Sequence, residues 1–366
     1  MKNIFKESLY NKLLQLNIFV FVLISIILYF FINISYAYDK SLIIPNTNHV
    51  FIISSYHVGD PCGQPQFDAV IEALQHSRIT NLSFTGHFLD TRRNSEHVIK
   101  QKIEFIKEDI LTLKPKVIVT LDDPSFSLLY KFVMNIPDTF LVFSGLNKCV
   151  QLYNEEKEFL TNDCIPIKNI TGVFEYMFIK EQLTLMEEIL NKQINKVAIL
   201  YSEDSVSPII AKQLVNEVKN SKYEDVFILY SVKTIEDMIK TSYTINEDNT
   251  IDVWIPATLS ILNEKNEKIL MSNTAKIMTS IIYKPDLSLN ASFTEYGFFG
   301  GVSVDFYQMG YQAGLLVAKL LQGIDIKELP IENTRNSYIA INLNRSLNLN
   351  INISQNILSK IDMLIE

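Results

Sequence analysis

Polar residues cluster where apolar runs of this chain stop, and their types suit hydrogen bonding to a small molecule. Ser55, Tyr56 and His57 follow the run HVFIIS and open the loop SYHVGDPCGQPQ, which includes Gln64. Asp122 and Asp123 follow VIVTL, and Ser144, Gly145 and Asn147 close LVFSGLN. Later in the chain, Ser202 and Glu203 end VAILYS, Pro256, Ala257 and Thr258 end IDVWIPAT, and Tyr283 ends IMTSIIY. Each residue also has a structural use. His57 can donate to a backbone carbonyl or reach a ligand, and Thr258 can cap a helix or bind. One carboxylate of the Asp122–Asp123 pair caps the helix that starts at Pro124, since Asp is a favoured N-cap. The other, if buried at a site, needs a cationic or donor-rich partner such as an amine or an amino-acid ammonium group. Asp90, Arg92 and Arg93 read as a structural ion pair that clamps a loop. Tyr56 and Tyr283 are the aromatic residues placed to stack on a ligand, whereas Trp254 reads as core.

These residues need elements to position them. Short apolar strands alternate with helical patterns through most of the chain, which predicts βα units and parallel sheets. HVFIISS, LSFTGHFL, KVIVTL and TFLVFSG read as strands, separated by helices over residues 64–76, 95–114 and 125–135. Asn94 and Ser95 begin the second helix and Pro115 follows it, both proper boundary signals. A second series opens at NITGVFE and repeats the rhythm, with strands at KVAILYS, DVFILYS, TIDVWIPA and IMTSIIY and a helix over residues 260–275. The glycine-punctuated stretch from Gly297 to Gly323 supplies a strand and a long helix, and SYIAINLN a further strand. Gly300 and Gly301 would let the backbone approach a ligand or relax a hinge, and Asp305 and Tyr307 begin the helix beside it. The expectation is an α/β protein of two Rossmann-like lobes with parallel sheets joined by a multi-crossing hinge. Lobe 1 would hold residues 48–168 plus about 296–328, and lobe 2 residues 169–295 plus about 329–366.

The amino terminus is different in kind. Lys2, Lys6 and Lys12 precede an apolar run from Ile18 to Ile32, and Ser35-Tyr36-Ala37 ends it, the three-part pattern of a secretory signal. Residues 1–37 are therefore expected either to be cleaved after Ala37 or to remain as an anchor, with the rest of the chain in the periplasm or otherwise extracytoplasmic. Of the cysteines, Cys149 and Cys164 bracket a polar excursion that a disulfide would pin and Cys62 is odd; all three reduced is the equal alternative. The formal charge of −8 leaves no basic stripe for nucleic acid. No G-x-S-x-G elbow, Walker loop or H-E-x-x-H stands in the sequence, and no cofactor or zinc motif, so no enzyme is expected.

Several of these segments carry a family resemblance. SYH, LDTRRN, VTLDDPSFSLL, FLVFSGLN, NITGVFE and the closing FYQMGYQAGLLVAKLLQGIDIKELPIE with YIAINLNRSLNLNINIS resemble the ABC-transporter substrate-binding proteins of the type I periplasmic binding fold. The resemblance covers roughly Asn48 to Ile365 and implies a monomer that closes two lobes on a small organic ligand and delivers it to a membrane permease. Some relatives instead serve as sensing modules beside a membrane kinase or cyclic-dinucleotide receptor. Cys62 stands where many relatives carry an aromatic residue, so ligand identity does not transfer.

Overall fold

The computed structural model describes residues 48–154, 158–204, 206–257, 261–263, 267 and 269–366. The expected export segment and Thr258 lie outside the described residues.

Alternation within the first strands explains why they lie in the middle of a sheet. In β1 (Asn48–Ser54), Val50 and Ile52 pack on one face and Phe51 and Ile53 on the other, and all four are fully buried. Such a strand must be covered by helices on both sides. One face is covered by α1 (Gly63–His76), through Val70 and Leu74. After β2 (Leu82–Phe88), α2 (Glu96–Leu113) covers the other with Ile103, Ile106 and Ile110. Ser95 caps α2, accepting from the Val98 amide, and Lys114 ends it in a left-handed turn. Then follow β3 (Val117–Leu121), α3 (Asp122–Val133), β4 (Phe140–Leu146) and β5 (Ile170–Phe174). The sheet is parallel, in the order β10 (Glu332–Asn333), β5, β4, β3, β1, β2.

NITGVFE therefore does not open the second lobe: β5 pairs with β4 and completes the first sheet. Its apolar sequence suits either sheet, and only the pairing decides. The second sheet comprises β6 (Val197–Ser202), β7 (Phe227–Val232) and β8 (Val253–Pro256), with β6 between the other two. Here α4 (Ile179–Leu190) and α5 (Ser207–Glu217) pack against Val197 and Ile199, while α6 (Ile235–Glu247) and α7 (Met271–Ile281) pack against Ala198 and Leu200. The bridges Trp254 to Asp286 and Leu287 to Gly300, both parallel, continue this sheet to β9 (Gly300–Val304), reached after the short α8 (Ala291–Glu295).

IMTSIIY is thus not a strand. Ala275, Met278 and Ile282 are buried at helical spacing, and that period prevails over the β-branched composition. The helix expected across residues 260–275 begins only at Met271, and Leu262 instead bridges Thr234.

The chain then returns to the first sheet. Helix α9 (Phe306–Leu321) packs beside α1, so closely that a Cβ on Gly310 would lie 2.4 Å from the carbonyl oxygen of Gln66. Strand β10 (Glu332–Asn333) extends β5, and β11 (Ser337–Asn342) pairs antiparallel with β9 in the second sheet. After α10 (Leu343–Asn348) and α11 (Gln355–Leu358), β12 (Met363–Ile365) pairs with β11. The three crossings between sheets therefore fall after Phe174, at Asp305 and at residues 334–336, not at 169, 296 and 329. They are tied together: the Thr334 amide donates to Phe174 O at 2.8 Å and the Asp305 amide to Asn336 O at 3.3 Å.

All three cysteines are free thiols. The excursion between Cys149 and Cys164 is held by buried Asn154, whose Oδ1 accepts from the Phe159 amide at 3.0 Å and whose Nδ2 donates to Leu160 O at 2.9 Å.

Arg345 anchors the end of the chain. Its Nε donates to Asp286 Oδ1 at 2.9 Å, Nη1 to Thr279 O at 2.8 Å and Nη2 to Ile282 O at 2.7 Å. Burial pushes the Asp286 carboxyl up to about 6, with Arg345 and the Phe299 amide opposing the rise. Removing one partner of a buried pair strands the other. Arg345→Met is expected to cost about 3–5 kcal/mol in urea denaturation, and Asp286→Asn added to it should recover part of that loss.

Candidate functional site

The carboxyl ends of β1, β3, β4 and β5 lie along one edge of the first sheet, where open α/β sheets bind ligands. The loop after β1 is fixed first. The Ser55 hydroxyl donates to Leu121 O at 2.6 Å and accepts from the Ser125 amide at 2.9 Å, so its hydrogen-bonding capacity is spent on fastening the loop to α3. Gln64 is likewise occupied: its Oε1 accepts from the Gly59 amide at 2.9 Å and its Nε2 donates to Asp68 at 2.8 Å on the outer side of α1.

Tyr56 is held differently. The Arg92 guanidinium lies over its ring at 3.8 Å from the centroid, and Arg92 Nη1 donates to Asp60 Oδ2 at 2.7 Å. Asp60 is buried, and its Oδ1 accepts from the Cys62 and Gly63 amides at 3.0 and 3.1 Å at the start of α1. His57 stands alongside, its Nδ1 3.8 Å from Asp60 Oδ2 and 3.9 Å from Asp90 Oδ1, too far for a hydrogen bond to either. Arg93 makes the expected surface clamp, donating from Nε to Asp90 Oδ1 at 2.8 Å.

The two adjacent aspartates divide their roles. Asp123 is satisfied by the Asn147 amide at 2.8 Å, the Lys148 amide at 3.2 Å and the Tyr153 hydroxyl at 3.0 Å, so it pins the loop after β4. Asp122 sits in the left-handed region at φ 68° and turns its carboxyl group inward. Its Oδ1 is 3.4 Å from Gln66 Nε2, and Gln66 is held in turn by the Ser144 hydroxyl, which donates to Gln66 Oε1 at 2.7 Å. Gly145, at φ 80°, leaves room for this pair, since a Cβ there would lie 3.0 Å from Asp122 Oδ1 and 3.1 Å from Gln66 Oε1. Asp122 Oδ2 is buried with no hydrogen-bond partner among the described residues.

Glu175, immediately after β5, completes the group. Burial raises its carboxyl well above the usual range, the charge of Asp122 adds to the rise, and the Asn147 side chain opposes it. Burial likewise drives Asp122 upward, with Arg92 in part offsetting it. Cys62 lies among these charges, and burial pushes its thiol up to about 12, so it stays protonated.

In the second half of the molecule Tyr296 ends α8 and Tyr338 lies in β11. Burial raises both phenols, Tyr338 to about 12. The hydroxyls of Ser288 and Ser303 are buried without partners in the same half of the molecule. Ser202, by contrast, donates to Asp204 Oδ2 at 2.5 Å, and Asp204 caps α5 through the Val206 and Ser207 amides. Tyr283 lies at the opposite end of the sheet. It follows α7, its amide bonds Asn246, and the neighbouring Lys284 reaches Ile251 O just before β8. Reading IMTSIIY as a strand put Tyr283 at the wrong end. Of the expected residues the structure gathers Tyr56, His57, Asp122 and Asn147, with Ser55, Ser144 and Asp123 supporting them. Sequence reasoning missed Asp60, Gln66 and Glu175 and gave Arg92 only a structural role. LDTRRN and the Glu closing NITGVFE, each at a strand end, were the available signals.

Two open α/β sheets joined by three crossings, with unpartnered polar groups at the strand ends, define a ligand-binding protein of the two-lobe periplasmic type. Residues 57–364 match the family described as ABC transporter substrate binding protein, and the chain belongs to that family. A tyrosine-binding protein of Clostridioides difficile (strain R20291) is 22% identical over 236 residues, 63% of this chain and 61% of that protein, so the match spans under two thirds of the relative. Among solved structures, a ligand-free, open substrate-binding protein with adhesive properties from Clostridium difficile superposes with a TM-score of 0.67 at 14% identity, covering 87% of this chain and 99% of that one. An ABC domain in complex with L-Trp from Streptococcus pneumonia gives 0.64 at 14% identity, covering 87% and 100%. At these identities the structures establish the fold alone.

The first crossing carries a titratable latch. Glu217 of α5 accepts from the Met177 amide at 2.8 Å and from Gln213 at 3.0 Å. Burial raises it from its ordinary 4.5 to about 7, against these hydrogen bonds and with Glu181 adding to the rise. A carboxyl raised on folding contributes stability that is full below about 4.5 and lost as pH rises through about 7. Folding stability should therefore fall across that window, and Glu217→Gln should make the slope shallower. An unchanged slope would remove Glu217 from this role.

Proposed function

We propose that the protein binds a small organic solute carrying a protonated amine, an amino acid in particular, between its two halves, and passes it to a membrane permease from an extracytoplasmic position. The observation that carries this reading is Asp122: one carboxylate oxygen is anchored by Gln66 and the other is buried and bare. A carboxylate out of water must take a proton or meet a cation. An ammonium group supplies three donors, enough to engage Asp122 with Glu175 beside it. The tyrosine-binding relative and the L-Trp complex support the amino-acid class, and Tyr56, Tyr296 and Tyr338 offer aromatic surface for such a side chain. Binding would favour the closed arrangement through contacts with both sheets, the crossings acting as the hinge. No step of this reading requires bond-making chemistry, so the protein is taken as a binding component and not an enzyme.

Thermal-shift screening of the purified protein against amino acids, amines, nucleosides and sugars should find a ligand that raises the melting point by mass action. Asp122→Asn should weaken that ligand about 10- to 100-fold, the range of a charge-assisted hydrogen bond. The unliganded protein should melt no lower, because the substitution removes a buried carboxyl that lacks a cationic partner. A drop in unliganded stability with ligand affinity retained would make Asp122 a structural residue and sink the assignment.

A further inference from the structure

The strand order places the site's charges in a row. Reading along the edge from β5 through β4, β3 and β1 to β2, the strands are followed by Glu175, Asn147, Asp122, Tyr56 and the loop bearing Arg92. Neighbouring strands are about 4.8 Å apart, so the ends of β3 and β2 are roughly 10 Å apart. Arg92 shortens that gap by reaching back over the Tyr56 ring. The edge thus carries unpaired acid at one end and the Arg92–Asp60 ion pair at the other, with Tyr56 between.

Arg92 is not fully consumed by its structural contacts. Its bond to Asp60 uses Nη1 alone, and Asp60 cannot offer the other half of a fork, since Oδ1 is taken by the Cys62 and Gly63 amides. The guanidinium keeps donors that no described residue engages, and its side chain is 47% exposed while its partner is 1% exposed. A guanidinium fixed by stacking and one anchoring bond, with donors to spare, is preorganised for a second carboxylate.

We propose that Arg92 receives the carboxylate of the ligand, so that the site measures a zwitterion and selects an α-amino acid over the amine that lacks its carboxylate. The proposal rests on the reading that Asp122 receives the ammonium group, and it makes Arg92 a specificity-determining residue.

The test takes the tightest binder among the twenty amino acids and its decarboxylated amine, and titrates both calorimetrically into wild-type protein, Arg92→Gln, Arg92→Lys and Asp122→Asn. Wild type should prefer the amino acid by about 100-fold or more, the scale on which a site built around a polar group rejects an analogue lacking it. Arg92→Gln should bring the amino acid down to the affinity of the amine while leaving the amine unchanged, and Arg92→Lys should keep part of the preference. Asp122→Asn should weaken both molecules. A preference that survives in Arg92→Gln overturns the proposal, as does an equal loss for both molecules, which would mark Arg92 as a loop clamp only. Wild-type binding of the amine as tightly as the amino acid, with Asp122→Asn weakening both, overturns the Arg92 proposal and leaves the ammonium reading standing. Absence of binding by all twenty overturns both.

Discussion

A carboxyl group removed from water holds a proton or finds a cation, and this constraint organises the carboxyl edge of the first sheet. Asp122, Asp123 and Glu175 are all buried there, and each meets the constraint differently. Asp123 collects two backbone amides and a tyrosine hydroxyl. Glu175 leans on Asn147. Asp122 is given one side-chain partner and left with a bare oxygen. Its left-handed backbone and the glycine at position 145 are the local features that aim it inward.

The surrounding architecture keeps that arrangement rigid. Gln66 joins Asp122 to Ser144, and the close approach of α9 at Gly310 holds the Gln66 backbone from behind. A helix from the last third of the chain therefore supports a site built from the first half. The same return of the chain creates the second and third crossings, and the third hydrogen-bonds to both the second and the first. Two packed halves on a tied set of crossings are the geometry that the proposed closure would use.

Charge is separated along this edge as well. Asp60 serves two masters, capping α1 with one oxygen and steadying Arg92 with the other, so a buried acid and a stacked arginine hold each other without cancelling the arginine's remaining donors. Cys62 sits between the acidic and basic ends as a protonated thiol.

The sequence by itself determined the alternation of strands and helices, β1 as a strand, and the helix start at Ser95, because each of these depends on local periodicity and residue chemistry. It also singled out Asp122 and Asp123 as a pair without separating them. Neither aspartate caps the helix as expected: α3 begins at Asp122 with no side-chain cap, and only the tertiary structure separated the loop-pinning role of Asp123 from the bare oxygen of Asp122, since that depends on which distant backbone amides arrive from the loop after β4. The placement of β5 in the first sheet, and of Glu175 after it, was likewise decided by strand pairing, and Arg92 was recruited by its contacts with Tyr56 and Asp60. Pairing is a contact between segments far apart in the chain, and no local pattern encodes which neighbour a buried apolar strand will choose.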